Sequence, residues 1–289
     1  MFLHNIRSFY MYMIELPFLV RYIAENDLKH FMLKPKKSLG QNFLRDENIL
    51  RKIAGSLHLQ KADVVMEIGA GHGALTKYLI REAGVVLAVE FDERAIPALR
   101  EQFGDQISII QNDILKVDLS AYARLYGTKL RVVGNIPYYL TSDILFFLFE
   151  NQNAVIDATL MMQLEVAQRL SAGPKTKEYG VLSIFTQLNT ECKQLFKVSR
   201  NVFFPKPQVD SAVVHLRMRH AQPDFDVNLF RSIVRSTFGK RRKTLRNGLK
   251  YLDFSESILK KLNFDLDRRP EDLSVQEFIL LTKELMKRS

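Results

Sequence analysis

Between residues 63 and 150, short apolar runs that end in glycine or polar residues alternate with stretches of helical pattern. Such runs are typical of strands buried on both faces, and we expect strands at 64–68, 85–89, 107–110 and 130–133. Helices are expected at 74–82, at 92–103 with Asp92 as the cap, and from Thr141 to residue 149. This alternation predicts βαβ units and a parallel sheet covered by helices on both faces.

Beyond Gly180 the pattern changes. Residues 181–188, 193–198 and 212–218 are interpreted as strands of a partly antiparallel sheet edge. After Pro223, the chain has helical patterns at 226–238, 243–251, 255–262 and 274–287. We therefore predict an α/β domain over 34–220 and a small all-helical domain over 221–289, with the boundary near 219–225.

Residues 1–33 differ from the rest of the chain. Glu15 and Pro17 interrupt the apolar stretch, which argues against a signal peptide, and further acidic residues argue against a transit peptide. The segment is interpreted as an N-terminal extension, either disordered or with a short amphipathic helix at 15–31, or as a wrong start with Met32 as the true first residue.

Three features of composition limit the class of protein. No apolar run approaches the roughly 18 residues that span a bilayer, so no membrane association is expected. Cys192 is the only cysteine, which excludes an intrachain disulfide and favours a cytoplasmic location. The histidines are scattered, so no metal site is expected.

Positive charge is concentrated in the last third of the chain. The net charge is +10, and residues 190–289 contain 21 Lys and Arg against 12 Asp and Glu. Within that third, five basic residues fall in seven positions: Lys240, Arg241, Arg242, Lys243 and Arg246. Such a run can neutralise phosphates, so we predict that it binds RNA; the alternative is a solvated helix start.

Polar groups or glycines follow three successive predicted strands. The segment Glu67-Ile68-Gly69-Ala70-Gly71-His72-Gly73 links the first strand to a helix, and glycines allow a tight turn close to a ligand. Glu90 ends the second strand and can accept hydrogen bonds from ribose hydroxyls, and Asp113 follows the third and can accept one from an adenine amine. The loop also fits a dinucleotide fingerprint, so an NAD dehydrogenase stays open here.

The segment Asn135-Ile136-Pro137-Tyr138 after the fourth strand favours methyl transfer to an amine. An exocyclic adenine amine is a poor nucleophile, because its lone pair is delocalised into the ring. The side-chain oxygen of Asn135 and the carbonyl of Ile136 could accept hydrogen bonds from the two N–H groups of the amine. Pro137 would stiffen the turn. Tyr138 offers a stacking face for the base. Phe203 could close the other side of that pocket, or pack in the core.

Four segments together resemble the small-subunit ribosomal RNA adenine dimethyltransferases: KSLGQNFL (37–44), EIGAGHGALT (67–76), NIPYY (135–139) and FFPKPQVDSAVVHL (203–216). The resemblance runs from about Lys34 to the C-terminus. It implies a Rossmann-like S-adenosylmethionine methyltransferase sheet and a small C-terminal helical domain. It also implies dimethylation of two adjacent adenosines in the 3′-terminal hairpin of the rRNA, by a monomer acting on an immature subunit late in assembly.

Carried over to this sequence, the family's functional positions form two groups. Its cofactor contacts correspond to Asn42, Leu44, Gly69, Glu90, Asp113 and Asn135. Its amine-binding and stacking positions correspond to Asn135 and Tyr138, with Phe203 as the second aromatic residue. Ile136 stands where the family often has Leu, which changes little because only the backbone carbonyl is needed.

Two other functions remain open at this point. A related type of enzyme methylates one adenine of 23S rRNA and confers antibiotic resistance; it shares the glycine loop and the NIPY motif, although RRKTLRN and QVDSAVVHL favour the small-subunit enzymes. An assembly factor that acts mainly by binding is the other alternative.

Overall fold

In the part of the chain that the structure describes, the strands form one large sheet and one short ribbon. We describe them in a computed structural model that covers residues 34–220, 223–252 and 254–287. The strands are β1 (Phe43–Leu44), β2 (Val64–Ile68), β3 (Val85–Glu90), β4 (Ser108–Gln111), β5 (Leu130–Asn135), β6 (Val155–Gln163), β7 (Thr190–Val198), β8 (Phe203–Phe204) and β9 (Ser211–Met218). Residues 1–33, including the helix expected at 15–31, lie outside the described residues.

The helices lie between these strands and after them. They are α1 (Glu47–Ser56), α2 (Thr76–Glu82), α3 (Ile96–Phe103), α4 (Leu119–Tyr126), α5 (Thr141–Glu150), α6 (Leu164–Leu170), α7 (Val181–Asn189), α8 (Val227–Phe238), α9 (Leu245–Leu249), α10 (Glu256–Lys260) and α11 (Val275–Met286). Asp92 acts as a cap, as predicted, but it caps a 3₁₀ turn, Glu93–Ala95, that precedes α3. Among the described residues, no helix is long and apolar enough to cross a membrane.

Seven strands form the large sheet in the order β4-β3-β2-β5-β6-β9-β7. The first five are parallel, and β9 is antiparallel to both β6 and β7. Helices cover both faces, so every residue of β2 is buried. The predicted α/β class and its partly antiparallel edge are confirmed.

One predicted strand is wrong. Residues 181–188 belong to helix α7, which begins after Gly180. Its apolar run is buried on several sides: Phe185 packs edge-on against Phe146 of α5 and Phe230 of α8, with ring centroids 5.3 and 5.8 Å apart. A helix buried all round lacks the polar stripe of an amphipathic helix, so its sequence resembles that of a buried strand.

The C-terminal helices and the sheet share one hydrophobic core. Phe230 and Ile233 of α8 are buried in the same cluster as Ile184 of α7 and Val214 of β9. A division into domains at residue 220 therefore remains a prediction. Its expected boundary falls next to residues 221 and 222, which are not described.

Candidate active site

The predicted cofactor residues meet at one edge of the sheet. Gly69 follows β2, Glu90 ends β3, Asp113 follows β4 and Asn135 ends β5. These strands are parallel, so their carboxyl ends lie together, where open α/β sheets bind ligands. All four residues line one cavity of about 240 Å³, which we call the first cavity.

The glycine loop turns tightly beside this cavity. Gly69 has a φ of 70°, and its amide donates to the carbonyl of Val89 over 2.8 Å. Gly73 has a φ of 75°, and a Cβ there would lie 2.1 Å from a ring carbon of Phe103. The left-handed backbone favours glycine at both positions, and at Gly73 the contact with Phe103 also excludes a side chain.

Glu90 both braces the glycine loop and faces the first cavity. One carboxylate oxygen accepts from the amide of Gly71 and the other from the amide of Asp92, each over 2.7 Å. Burial raises the pKa of this carboxyl above its ordinary value. Each oxygen has a second lone pair, so the residue can accept further hydrogen bonds from a ligand.

Asp113 also has a structural contact. Its side chain accepts from the amide of Leu115 over 3.0 Å and caps the 3₁₀ turn Ile114–Lys116. Capping uses one oxygen of the carboxylate, and the residue lines the first cavity. Asp113 therefore combines a structural cap with a place in the cavity where the adenine amine is expected.

An N-terminal segment closes over the strand ends. Its Gln41 donates to Asp92 over 2.9 Å, and the carbonyl of Asn42 accepts from the side-chain amide of Asn135 over 2.8 Å. Asn42 lines the first cavity, whereas Leu44 is buried and lines an adjoining cavity of about 230 Å³, the second cavity. The two cavities share Asn135.

All four residues of the Asn135–Tyr138 segment line the first cavity. The amide nitrogen of Asn135 is engaged by Asn42, so its side-chain oxygen remains the acceptor. Pro137 accepts from the amide of Leu140 over 3.0 Å, which closes the turn. The hydroxyl of Tyr138 hydrogen-bonds that of Ser211 over 2.8 Å, and burial raises the pKa of the Tyr138 hydroxyl. That bond fixes the ring.

Comparison with known proteins shows which family the chain belongs to. The family model described as ribosomal RNA adenine dimethylase matches residues 32–287. The chain belongs to this family. The dimethylase is thus an enzyme that uses S-adenosylmethionine to methylate rRNA adenines, and an NAD dehydrogenase is excluded.

Individual relatives agree with the family. The dimethylase is 46% identical to "Ribosomal RNA small subunit methyltransferase A" of Chlorobium phaeobacteroides, over 90% of this chain and 97% of that protein. Among solved structures, a dimethyladenosine transferase from Plasmodium falciparum matches with a TM-score of 0.72 and 25% identity, covering 85% of this chain and 98% of that one. The 23S rRNA methyltransferase ErmE matches with a TM-score of 0.60 and 27% identity, covering 84% and 99%.

The groups around the first cavity fit a nucleoside-type cofactor. Glu90 and Asp113 supply carboxylate acceptors, and the left-handed backbone at Gly69 and Gly71 lets a ligand approach the main chain. When bound, S-adenosylmethionine supplies an electrophilic methyl group. Asn135, whose side-chain amide nitrogen is engaged by Asn42, lines the same cavity.

Phe203 lines neither of the two cavities of the dimethylase, and its role as the second aromatic residue of a base pocket stays a prediction. It is 5% exposed, lies opposite Leu44 in the β1–β8 ribbon and packs in the core. Side chains alternate along a strand, so the next residue, Phe204, points outward and lines the second cavity. Sequence reasoning missed Phe204, because which of two adjacent phenylalanines faces the core depends on pairing with β1.

Glu67 of the dimethylase was also missed as a site residue. It is 3% exposed, lines the second cavity, and accepts from the hydroxyl of Thr76 over 2.5 Å. Burial raises the pKa of this carboxyl to about 8. The available signal was an acidic residue in the otherwise apolar run Val64–Ile68, directly before the glycine loop.

The basic run divides into braced and exposed residues. Arg241 pairs with Glu271 over 2.6 Å and donates to the carbonyls of Thr176 and Lys177, each over 2.9 Å. Arg246 is also braced, because it pairs with Glu256 over 3.0 Å. Lys240, Arg242 and Lys243 are exposed. Of these, Lys240 lies 5.5 Å above the ring of Tyr251, and the other two form no ion pairs within the described ranges. Sequence alone could not separate them, since Glu271 and Glu256 follow 30 and 10 residues later.

Proposed function

We propose that this enzyme dimethylates the N6 amines of two adjacent adenosines in the 3′-terminal hairpin of small-subunit rRNA. The observation that carries the proposal is the acceptor oxygen of Asn135, at the edge of a cavity that also contains the predicted cofactor groups. The name and near-complete coverage of the Chlorobium relative favour the small subunit.

The proposed chemistry depends on alignment of the amine rather than on a general base. Asn135 Oδ1 and the Ile136 carbonyl accept hydrogen bonds from the two N–H groups of the amine, which turns the nitrogen lone pair toward the methyl carbon. The new N–C bond forms as the methyl–sulfur bond breaks and its electrons stay on sulfur. The nitrogen becomes cationic and then releases its proton to water. Pro137 stiffens the turn, and Tyr138 stacks on the base.

The roles of the cofactor residues follow from their positions. We assign the ribose hydroxyls to Glu90 and the adenine amine to Asp113. Asn42, Leu44 and Gly69 would hold the remaining part of the cofactor next to Asn135. These assignments are supported by the shared cavities and by the positions that match the family's motifs.

The partner is proposed to be rRNA within an immature small subunit, bound late in assembly by a monomer in the cytoplasm. Lys240, Arg242 and Lys243 are exposed and suited to phosphates. Arg241 and Arg246, which were predicted to join them, are better assigned to holding the segment in place, because carboxylates already neutralise them. The single cysteine, Cys192, is consistent with a reducing compartment.

Methylation of 23S rRNA is the second candidate, favoured by the similarity to ErmE. Immature small subunits and free large-subunit RNA should be incubated separately with labelled S-adenosylmethionine, and the methylated nucleotides mapped. We expect label on two adjacent adenosines of the small subunit and none on 23S rRNA. A single labelled adenine in 23S rRNA would support the alternative and contradict the proposal.

An assembly role can be separated from catalysis with the same material. An Asn135→Ala protein that transfers no methyl group should not restore maturation, if methylation is the main function. Full restoration by the inactive protein would instead assign the main role to binding.

A further inference from the structure

The β1–β8 ribbon presents an aromatic ring and a cation at the second cavity. Phe43 lies opposite Phe204, and Leu44 lies opposite Phe203. Because side chains alternate along a strand, Leu44 and Phe203 enter the core, whereas Phe43, Arg45 and Phe204 face the other way. These three line the second cavity together with the buried Leu44.

The guanidinium of Arg45 stacks on the ring of Phe204, and its hydrogen-bond donors are not used by other described residues. Its guanidinium carbon lies 4.0 Å from the ring centroid, and the ring is 45% exposed. Within the residues that the structure describes, the Arg45 side chain forms no ion pair or hydrogen bond, whereas Arg94 is paired with Asp92. An arginine in this state can take a phosphate in its planar fork while it remains stacked.

The pair lies beside the group assigned to the target amine. Asn135 lines both cavities, whereas Glu90 and Asp113 line only the first. The second cavity therefore extends from Asn135 away from the two carboxylates, and apart from Asn135 it shares only Leu44 and the glycine loop with the residues assigned to the cofactor. Unpaired bases in RNA stack on aromatic and guanidinium planes, and phosphates bind arginine.

We propose that Phe204 and Arg45 bind the nucleotide that adjoins the target adenosine. The ring of Phe204 stacks on its base, and the guanidinium of Arg45 contacts its phosphate. This inference rests on the proposed function, in which two adjacent adenosines are methylated and one must be held while the other reacts. A stacking ring accepts any base, so the site would bind the neighbour before and after its methylation.

Kinetics of Phe204→Leu and Arg45→Gln test the proposal. Each variant should raise the KM for immature subunits about tenfold, as expected for loss of one stacked base in Phe204→Leu and of one hydrogen bond to a charged phosphate in Arg45→Gln. The single-turnover rate at saturating substrate, the affinity for S-adenosylmethionine and the melting temperature should change little, and Phe204→Trp should restore KM. Lys52→Gln is the matched control, because Lys52 lies 4.2 Å above the Phe196 ring and neither residue lines these cavities.

A binding cycle tests the contact directly. The probes are an RNA hairpin with two adjacent adenosines and the same hairpin with an abasic nucleotide in place of one of them. The abasic change should weaken binding to the wild-type protein and have little further effect on Phe204→Leu. An equal penalty in both proteins, or an unchanged KM in both variants, overturns the inference. Failure of the proposed function is recognised separately, because the wild-type enzyme would then transfer no methyl group to small-subunit RNA.

Discussion

At the scale of single residues, Asn135 connects the cofactor cavity to the proposed chemistry. Its amide nitrogen is held by the Asn42 carbonyl, which leaves one oriented acceptor. The strand-end position made the residue predictable from sequence, because parallel strands bring their carboxyl ends together. The hydrogen bond to Asn42 was not predictable, since the two residues are 93 positions apart.

Replacing Asn135 with alanine should slow methyl transfer far more than it weakens the fold. Loss of one preorganised hydrogen-bonding partner costs about 10²–10³ in turnover in other enzymes. The measurement is single-turnover methylation at saturating cofactor, so that weaker cofactor binding is not mistaken for slower chemistry. Asn151→Ala, which removes a comparable bond to the Phe147 carbonyl at the end of α5, is the control. A rate for Asn135→Ala close to that of the control would make Asn135 structural.

Glu67 should make stability depend on pH in a defined window. Burial raises its pKa from an ordinary value of 4.5 to about 8, so the folded protein keeps a proton that the unfolded chain releases. Its contribution is fully present below pH 4.5 and is lost as the pH rises through about 8. The free energy of unfolding should fall over that window by on the order of a few kcal/mol.

Glu67→Gln should flatten this dependence. The measurement is the melting temperature of the cofactor-free protein between pH 5 and pH 9, taken for the wild type and the variant. Glu82→Gln changes an exposed carboxylate on α2 and should keep the wild-type slope. Parallel curves for the wild type and Glu67→Gln would show that Glu67 is ionised in the folded state.

At the scale of elements, the βα units were predicted except for helix α4 (Leu119–Tyr126), and the elements after Glu150 were predicted less well. Strand β2 is followed by Gly69, and β3, β4 and β5 end in polar residues, which marks the strand ends clearly. Strand β6 was not predicted: its run Val155–Gln163 contains Asp157, which is buried and pairs with Arg131 of β5 over 2.7 Å. Both this strand and helix α7 are specified by partners distant in sequence.

The basic segment that leads into α9 should show two separable functions. Arg242→Ala with Lys243→Ala should flatten the salt dependence of RNA binding, by roughly 0.7–0.9 in slope for each phosphate that the variant no longer neutralises, and should leave the melting temperature unchanged. Arg241→Ala should instead leave the salt slope unchanged and lower stability by about 1–2 kcal/mol, because it breaks the Glu271 pair.

The measurements are RNA binding across a salt series and thermal unfolding of both proteins. A change of salt slope in Arg241→Ala of the same size as in the double variant would return Arg241 to the RNA-binding group. An unchanged slope in the double variant would leave this segment as a solvated surface.

At the scale of the whole molecule, the α8–α11 region and the sheet should unfold together. Phe230 of α8 is fully buried and lies between Phe185 of α7 and Phe225, at centroid distances of 5.8 and 5.3 Å. The sequence predicted a separate helical domain, because composition and helical pattern change near residue 220. Neither property reports how much apolar surface the two parts share, which is what determines whether they unfold separately.

Phe230→Ala should therefore destabilise both parts of the chain. Removing a buried phenylalanine typically costs about 3–5 kcal/mol, and here the cavity would lie in the shared core. The measurement is amide hydrogen exchange, compared for α8 and α11 on one side and β2 and β5 on the other. Exchange should accelerate in both groups by similar factors if unfolding is cooperative. Leu280→Ala, at a residue of α11 that is 55% exposed, is the control and should change neither group. Faster exchange confined to α8 and α11 would mean that the helices unfold independently, and the predicted domain boundary near residue 220 would then describe how the molecule unfolds.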